Sequence, residues 1–110
     1  MFNLFKKVNN TPEITNQPQG FDDMDPAELT KLTVFGYTGK FSNHPVISIY
    51  FNNVLIGEIS QNEIKTFNVP APGMVAFKFK RAAANIAMTG EMGVQLEFDR
   101  IYGGLIAQKV

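Results

Sequence analysis

Met74-Val75-Ala76-Phe77-Lys78-Phe79-Lys80 is the stretch that decides the fold class of this chain. In it, the apolar side chains of Val75, Phe77 and Phe79 alternate with positions that include two lysines. Successive side chains of a β-strand point to opposite faces, so Val75, Phe77 and Phe79 share one face and the lysines share the other. A row of phenylalanines must be buried, while lysines stay in water. The stretch is therefore predicted to be a strand of a sheet that covers a core on one side.

Six more segments have strand composition or the same alternation, and turn residues separate them. Two turns are specific: Asn52-Asn53 fits a two-residue hairpin with positive φ, and Pro70-Ala71-Pro72-Gly73 fits a tight turn. No long helical pattern supplies a parallel crossover, so antiparallel pairing is expected. The predicted fold is all-β, an antiparallel β-sandwich of about seven short strands. The other segments are 32–37, 46–51, 54–60, 64–69, 92–99 and 100–108, the last with Gly103-Gly104 as a bulge.

Two regions are predicted to lie outside the strands. Residues 1–31 form a flexible N-terminal arm before the β-sandwich domain at 32–110, because most of this arm is polar and has few aliphatic residues. Within the arm, Asp25-Pro26-Ala27-Glu28 has the sequence of a helix start, which predicts a short helix near 26–31. Residues 81–89 are predicted as a helical turn or two, because Ala82-Ala83-Ala84 favours helix and Asn85 and Thr89 limit its length.

The amino-acid composition argues against several classes of function. The chain has 110 residues, which suits one domain, and its 10 basic and 10 acidic residues cancel. A neutral chain lacks the positive field that non-specific nucleic-acid binding needs, so no nucleic-acid partner is expected. Cysteine is absent, which excludes disulfides, thiolate metal sites and a cysteine nucleophile. With no long apolar run and no signal-peptide pattern at the start, the predicted location is cytoplasmic.

No catalytic or metal site is predicted. The single histidine, His44, precedes Pro45 in a polar loop, and its neighbour Ser42 has no evident third partner for a triad. The acidic cluster at 22–25 lacks the spacing of a calcium loop, and the glycines do not form a phosphate cradle. Glu97 and Asp99 share a face that alternation marks as solvated. The chain is therefore interpreted as a protein that is not an enzyme and that has no cofactor or metal.

Candidate interaction residues lie in two places. Near the N-terminus, apolar and basic side chains form a short amphipathic segment that suits weak contact with a partner or an anionic membrane surface. In the alanine-rich stretch, Ile86 and Met88 form either an exposed apolar patch or a cover over one end of the sandwich. The N-terminal candidates are Phe2, Leu4, Phe5, Lys6 and Lys7.

Two hypotheses about ligand binding concern aromatic residues. Phe77-Lys78-Phe79-Lys80-Arg81 is the one basic and aromatic stretch, but strand alternation separates its rings from its lysines, which argues against stacking on nucleic-acid bases. Aromatic residues near predicted loop ends would instead suit a small ligand or a carbohydrate. These are Tyr37, Phe41, Tyr50 and Tyr102.

The stretch 50–57, the turn 67–73 and the strand 77–79 resemble a recurring bacterial pattern. The pattern is a strand, an Asp/Asn-Gly turn, a strand with a hydrophobic-Gly pair, a Val-Pro-x-Gly turn and an alternating strand. Small bacterial PEGA-type β-sandwich domains of unknown function have this pattern. The chain departs from it where Asn53 replaces the usual glycine and where Pro70-Ala71-Pro72-Gly73 has its own spacing. The resemblance implies a surface or interaction module without catalysis.

The leading hypothesis is a non-enzymatic β-sandwich interaction module that binds a protein partner or self-associates. The alternatives are a small-ligand or carbohydrate-binding domain, and a peripheral membrane protein tethered by residues 1–7.

Overall fold

The computed structural model describes residues 29–99, 101 and 103–110, which form two stacked β-sheets of four strands each. One sheet has the strand order β4-β1-β7-β8, and the other has the order β3-β2-β5-β6. The prediction of an all-β sandwich is confirmed, with eight strands rather than about seven. The strands are β1 (Thr30–Phe35), β2 (Ile47–Phe51), β3 (Val54–Ile59), β4 (Ile64–Val69), β5 (Gly73–Phe79), β6 (Ala82–Met88), β7 (Met92–Phe98) and β8 (Leu105–Lys109).

The N-terminal boundary of the sandwich lies slightly earlier than predicted. β1 begins at Thr30, so Thr30 and Lys31 are strand residues and not the end of the predicted arm and helix. Both pair with β4, Thr30 opposite Val69 and Lys31 opposite Asn68. Leu29, the first described residue, belongs to neither a helix nor a strand, and residues 1–28 of the predicted arm and helix lie outside the described residues.

Strand alternation builds the core between the sheets. In β5, Val75 and Phe77 are fully buried, Phe79 is half-buried, and Lys78 is exposed on the opposite face. β7 shows the same alternation, with Val94 and Leu96 fully buried. Each sheet therefore covers the inner face of the other, and burial of these large side chains supplies about 1.5–3 kcal/mol each. The alternation predicted for both strands is confirmed.

The predicted hairpin turn between β2 and β3 is confirmed in its backbone. Asn52 and Asn53 both have positive φ, 48° and 69°, which is the pair of angles that a type I′ turn requires. The Oδ1 atom of Asn52 also accepts a hydrogen bond of 2.9 Å from the backbone N–H of Met74. The turn therefore ties β2 to the start of β5 as well as to β3.

One strand pair departs from the expected antiparallel pattern. β1 and β7, the two central strands of their sheet, run parallel, with Val34 opposite Val94. A parallel pair needs a long connection, and here the chain makes it by passing repeatedly through the other sheet between β1 and β7. No helix is needed for such a crossover, which is why the absence of a helical pattern did not exclude parallel pairing.

The predicted helical turn at residues 81–89 is wrong: this segment contains strand β6. β6 forms a hairpin with β5 through Lys80-Arg81, where Lys80 has a positive φ of 53°, and the two strands stay in regular register from Phe79 opposite Ala82 to Gly73 opposite Met88. The preference of alanine for helix amounts to a few tenths of a kcal/mol per residue. A full ladder of backbone hydrogen bonds and an inner face packed on the core override it.

The predicted bulge at Gly103-Gly104 is also misplaced. The last strand starts at Leu105, so both glycines belong to the turn between β7 and β8. Gly103 has a positive φ of 72°, and the N–H of Gly103 donates to the carbonyl oxygen of Asp99. The glycine is therefore required for the turn and not for a bulge.

Candidate functional site

The structure separates the predicted interaction residues into two groups. Phe2, Leu4, Phe5, Lys6 and Lys7 lie outside the described residues, so the tether at residues 1–7 stays a prediction. In β6, Met88 is fully buried and Ile86 is half-buried and packed against the core. The side chains that β6 exposes are instead those of Ala83, Asn85 and Ala87.

β6 lies at the edge of its sheet, and within the described residues it pairs on one side only, with β5. The direction in which the peptide groups of β6 point can be worked out from the pairing of β5 with β2, its neighbour on the other side. The N–H of Asn52 donates to the carbonyl oxygen of Met74 at 2.9 Å, so the peptide groups of Met74 face β2. In an antiparallel ladder the direction alternates along the strand, so those of Val75 and Phe77 face β6.

The same alternation fixes the direction of the peptide groups in β6. Ile86 lies opposite Val75, and Ala84 lies opposite Phe77, so their N–H and C=O groups point toward β5. The N–H and C=O groups of Ala83, Asn85 and Ala87 therefore point away from the sheet. β6 thus presents three consecutive pairs of backbone donors and acceptors along an exposed edge.

The other three edge strands carry features that hinder pairing with another chain. β3 is interrupted by a register shift opposite Ile49 and Tyr50 and carries the charged residue Glu58. From β4, the Nζ atom of Lys65 donates to the backbone carbonyl oxygen of Glu58 at 2.7 Å, which joins the two edges on that side. β8 is short and ends in Lys109. Bulges, charges and short length are the common protections of sheet edges.

β6 has none of these protections, although it lies close to β8, the edge strand of the opposite sheet, without backbone pairing between the two. It has seven residues, no charged side chain, no proline and no register shift against β5. The lysines of this sheet lie instead on the inner strand β5 and in the turn that follows it, where they do not protect the edge. β6 is therefore the edge at which another strand would meet the least resistance.

A second feature is an aromatic pocket at one end of the sandwich. Its rings pack edge to face: the centroid of Phe98 lies 5.1 Å from Tyr37, 5.2 Å from Phe41 and 5.6 Å from Phe79. The pocket has a volume of about 370 Å³ and is open to solvent. It is lined by Phe41, Asn43, Pro45, Phe79, Phe98, Asp99 and Gly103.

Tyr37 forms the floor of this end of the sandwich and is only 1% exposed. Its hydroxyl donates a hydrogen bond of 2.7 Å to the backbone carbonyl oxygen of Pro45, which fixes the loop that carries Phe41. Burial raises the pKa of the Tyr37 phenol, and the negative charge of Glu63 raises it further, while a backbone hydrogen bond at Gln61 lowers it. Tyr37 is therefore a structural anchor rather than an exposed platform.

Glu97 anchors the start of the same loop from the neighbouring strand. Its carboxylate accepts hydrogen bonds from the backbone N–H and the hydroxyl of Thr38, the latter at 2.9 Å. It also accepts one of 3.3 Å from the side chain of Gln95. These contacts hold the loop in place and show that the face of β7 with Glu97 is only partly solvated.

Of the other two predicted aromatic platforms, Tyr50 and Tyr102, the structure describes only Tyr50. Tyr50 lies half-buried on the outer face of the other sheet, where the Nζ atom of Lys78 sits 4.9 Å from its ring centroid. Tyr102 lies outside the described residues. Of the predicted platforms that the structure describes, Tyr37 and Phe41 are brought together, with ring centroids 5.6 Å apart, and Tyr50 lies elsewhere. Phe41 alone of these combines a loop position with a place in the lining of the pocket.

The single histidine lies at the surface, and the acidic residues of the described part of the chain do not cluster around it. His44 is exposed in its loop, and its backbone N–H donates to the carbonyl oxygen of Phe41 at 3.1 Å. Within 29–99, 101 and 103–110, no three histidine or acidic side chains form a group that could hold a metal ion. The same residues contain no helix that is long and apolar enough to cross a membrane.

Sequence reasoning missed Ala83, Asn85 and Ala87 because it assigned their segment to a helical turn. A signal was present: Ala82, Ala84, Ile86 and Met88 occupy alternate positions, as the inner face of a strand would. Small side chains at the outer positions made this alternation weak.

Comparison with known proteins yields no family model, no curated protein and no solved structure that matches the chain. The resemblance to PEGA-type domains therefore stays a prediction.

Proposed function

We propose that this chain is a non-enzymatic interaction module that binds an extended protein segment along the edge of β6. The observation that carries the proposal is the open row of peptide groups at Ala83, Asn85 and Ala87 on a regular, uncharged edge strand. Addition of a strand to such an edge satisfies these backbone donors and acceptors, and backbone pairing supplies most of the affinity in this mode of recognition.

The edge also indicates the kind of segment that fits. Backbone pairing demands an extended partner without proline at the pairing positions. Ala83 and Ala87 leave space on the outer face of the sheet, so the partner can carry large side chains there. On the inner face, the partner's side chains would extend the core beside Ala84 and Ile86, which favours apolar residues at alternate positions.

Site-specific photo-crosslinking tests this proposal. A photoreactive amino acid replaces Ala87 on the β6 edge or, as a matched control, Thr66 on the β4 edge of the full chain. We expect adducts from position 87, formed in cells that produce the chain, that peptide mapping joins to an extended apolar segment. We expect far fewer adducts from position 66, because Lys65 bridges that edge to β3.

A second substitution separates backbone pairing from contact by chance. Ala83→Pro removes one outward-facing N–H while leaving the groups that pair with β5 in place. It should abolish the adduct from position 87, and circular dichroism should still show a folded β-protein. Equal adducts from positions 87 and 66, or an adduct that Ala83→Pro leaves unchanged, would exclude strand addition at β6.

The aromatic pocket supports a second candidate function, the binding of a small ring-shaped ligand. Its volume of about 370 Å³ lies within the range of small-molecule sites, and three phenylalanine rings with Asn43 at the rim offer apolar contact and an amide partner. Nuclear magnetic resonance titrations with methyl pyranosides and with substituted benzenes test it. Shifts at Phe41 and Phe98 that disappear in Phe41→Ala would support this function, and an unresponsive pocket would exclude these ligand classes.

A further inference from the structure

We infer that the segment bound at this edge is β6 of a second copy of the chain, which gives a symmetric dimer with Asn85 on the two-fold axis. The inference rests on the proposed strand addition at β6 and names its partner. Two β6 strands would pair antiparallel and join two four-stranded sheets into one continuous sheet of eight strands. Such an interface uses the same patch on both copies, as two-fold dimers do.

The register follows from the position of Asn85 at the centre of β6, which spans Ala82–Met88. With Asn85 opposite its own copy, Ala83 of each chain lies opposite Ala87 of the other. All of these residues have outward-facing peptide groups, so each opposed pair exchanges two backbone hydrogen bonds. This register uses the whole strand and leaves every outward-facing peptide group of β6 paired.

Side-chain size is compatible with this register. On the outer face, the axis carries two asparagine amides that can hydrogen-bond to each other, flanked by alanine pairs that cannot clash. On the inner face, Ala84 of one copy lies opposite Ile86 of the other, so a small residue meets a larger one twice. The pairing would therefore extend the apolar layer of each sandwich across the axis.

The charges at the two ends of β6 favour the antiparallel pair. The turn before β6 carries Lys80 and Arg81, whereas the turn after it carries Glu91, whose side chain is 71% exposed and lies 3.9 Å from the Nζ atom of Lys31. Antiparallel pairing of two copies keeps the two basic turns apart and places each one beside the turn that carries Glu91. A parallel pair of copies would place the two basic turns side by side.

Charge substitutions at the axis test the dimer directly. In this register, Asn85→Lys places two ammonium groups opposite each other, and Asn85→Asp does the same with two carboxylates. Light scattering coupled to size-exclusion chromatography should give twice the chain mass for the unmodified protein. Each variant alone should dissociate at least tenfold more readily, and an equimolar mixture of the two should recover the dimer, because opposite charges then meet.

Matched controls use the edge of the other sheet. Gln108→Lys and Gln108→Asp place the same charges at an exposed position of β8 and should leave the dimer unchanged. Thermal melts of all variants verify that the sandwich remains folded, so loss of the dimer reports on the interface.

Three results would overturn the inference. A chain that stays monomeric up to about 1 mM, while position 87 still crosslinks a different protein, would overturn the dimer and leave strand addition intact. A dimer that withstands both Asn85 charges, or charge variants that do not recover the dimer when mixed, would show that the copies do not meet at Asn85. A monomeric chain with no adduct at position 87 would overturn the dimer and the proposed function together.

Discussion

Tyr37→Phe removes a single buried hydroxyl from the residue that supports the aromatic pocket. The hydroxyl donates a 2.7 Å hydrogen bond to the carbonyl oxygen of Pro45, a buried residue. The substitution leaves that carbonyl group without this partner, and an unsatisfied buried polar group costs about 1–3 kcal/mol. The ring and its edge-to-face contacts with Phe41 and Phe98 are retained, so the loss reports on the hydrogen bonds of the hydroxyl, the one to Pro45 and the one with the backbone at Gln61.

Urea unfolding followed by circular dichroism measures this loss. For a domain of this size, a slope near ~1 kcal/mol per molar urea converts the loss into a midpoint lower by about 1–3 M. Tyr50→Phe is the matched control, because Tyr50 is half-buried and its ring is contacted from outside by Lys78. We expect this control to change the free energy of unfolding by less than about 0.5 kcal/mol.

The pH dependence of stability gives an independent measurement of the same residue. Burial raises the pKa of Tyr37 in the folded state, so above pH ~10 the unfolded state binds fewer protons than the folded state. The contribution of the protonated Tyr37 phenol to the free energy of unfolding is fully present below pH ~10 and is lost as the pH rises through the folded-state pKa. Unfolding free energy should therefore fall more steeply above pH ~10 in the unmodified chain than in Tyr37→Phe. Equal midpoints at pH 7, or parallel pH profiles, would refute this account of Tyr37.

Three further substitutions test local features of the fold. Gly57→Ala would place a Cβ atom 2.7 Å from the ring of Phe67 in the opposite sheet, and overpacking of this kind should lower the unfolding free energy by about 1–3 kcal/mol, measured by urea unfolding. Glu97→Ala removes the acceptor of the Thr38 hydrogen bonds and should cost about 1–2 kcal/mol in the same assay. Asn53→Gly relieves a side chain at a φ of 69° and should raise the thermal midpoint by a few degrees, whereas Asn53→Val should lower it.

Each of these predictions has a result that would contradict it. A Gly57→Ala variant with unchanged stability would show that the sheets can move apart at no cost. An unchanged Glu97→Ala variant would show that solvent replaces the carboxylate at Thr38. An Asn53→Val variant as stable as the unmodified chain would contradict the assignment of a type I′ turn.

The sandwich could be predicted from the sequence because its strands carry a strong two-residue alternation. Phe77 with Lys78, and Leu96 with Glu97, mark an inner and an outer face without reference to any other part of the chain. The turn at Asn52-Asn53 could be predicted for a similar reason, since positive φ is a local property that asparagine tolerates. Both are short-range signals, and short-range signals are visible in a sequence.

β6 is predicted poorly in this way, because its alternation is weak and its local preference for helix disagrees with its tertiary environment. Three consecutive alanines favour helix, yet the chain emerges from the tight turn at Lys80-Arg81 directly beside β5. The backbone groups of β5 then determine the conformation of the next seven residues. The aromatic pocket could not be predicted either, because Phe41, Phe79 and Phe98 come from three separate parts of the chain.

The amino-acid sequence by itself determined that the chain forms strands, which faces of most strands are buried, and where the asparagine hairpin turns. Only the tertiary structure decided that β1 and β7 run parallel, that residues 82–88 form an edge strand, and that its outer peptide groups remain open within the described part of the chain. The physical reason is that side-chain alternation is read along one strand, whereas strand order depends on which backbone groups meet across the sheet. The interaction edge exists because of that order.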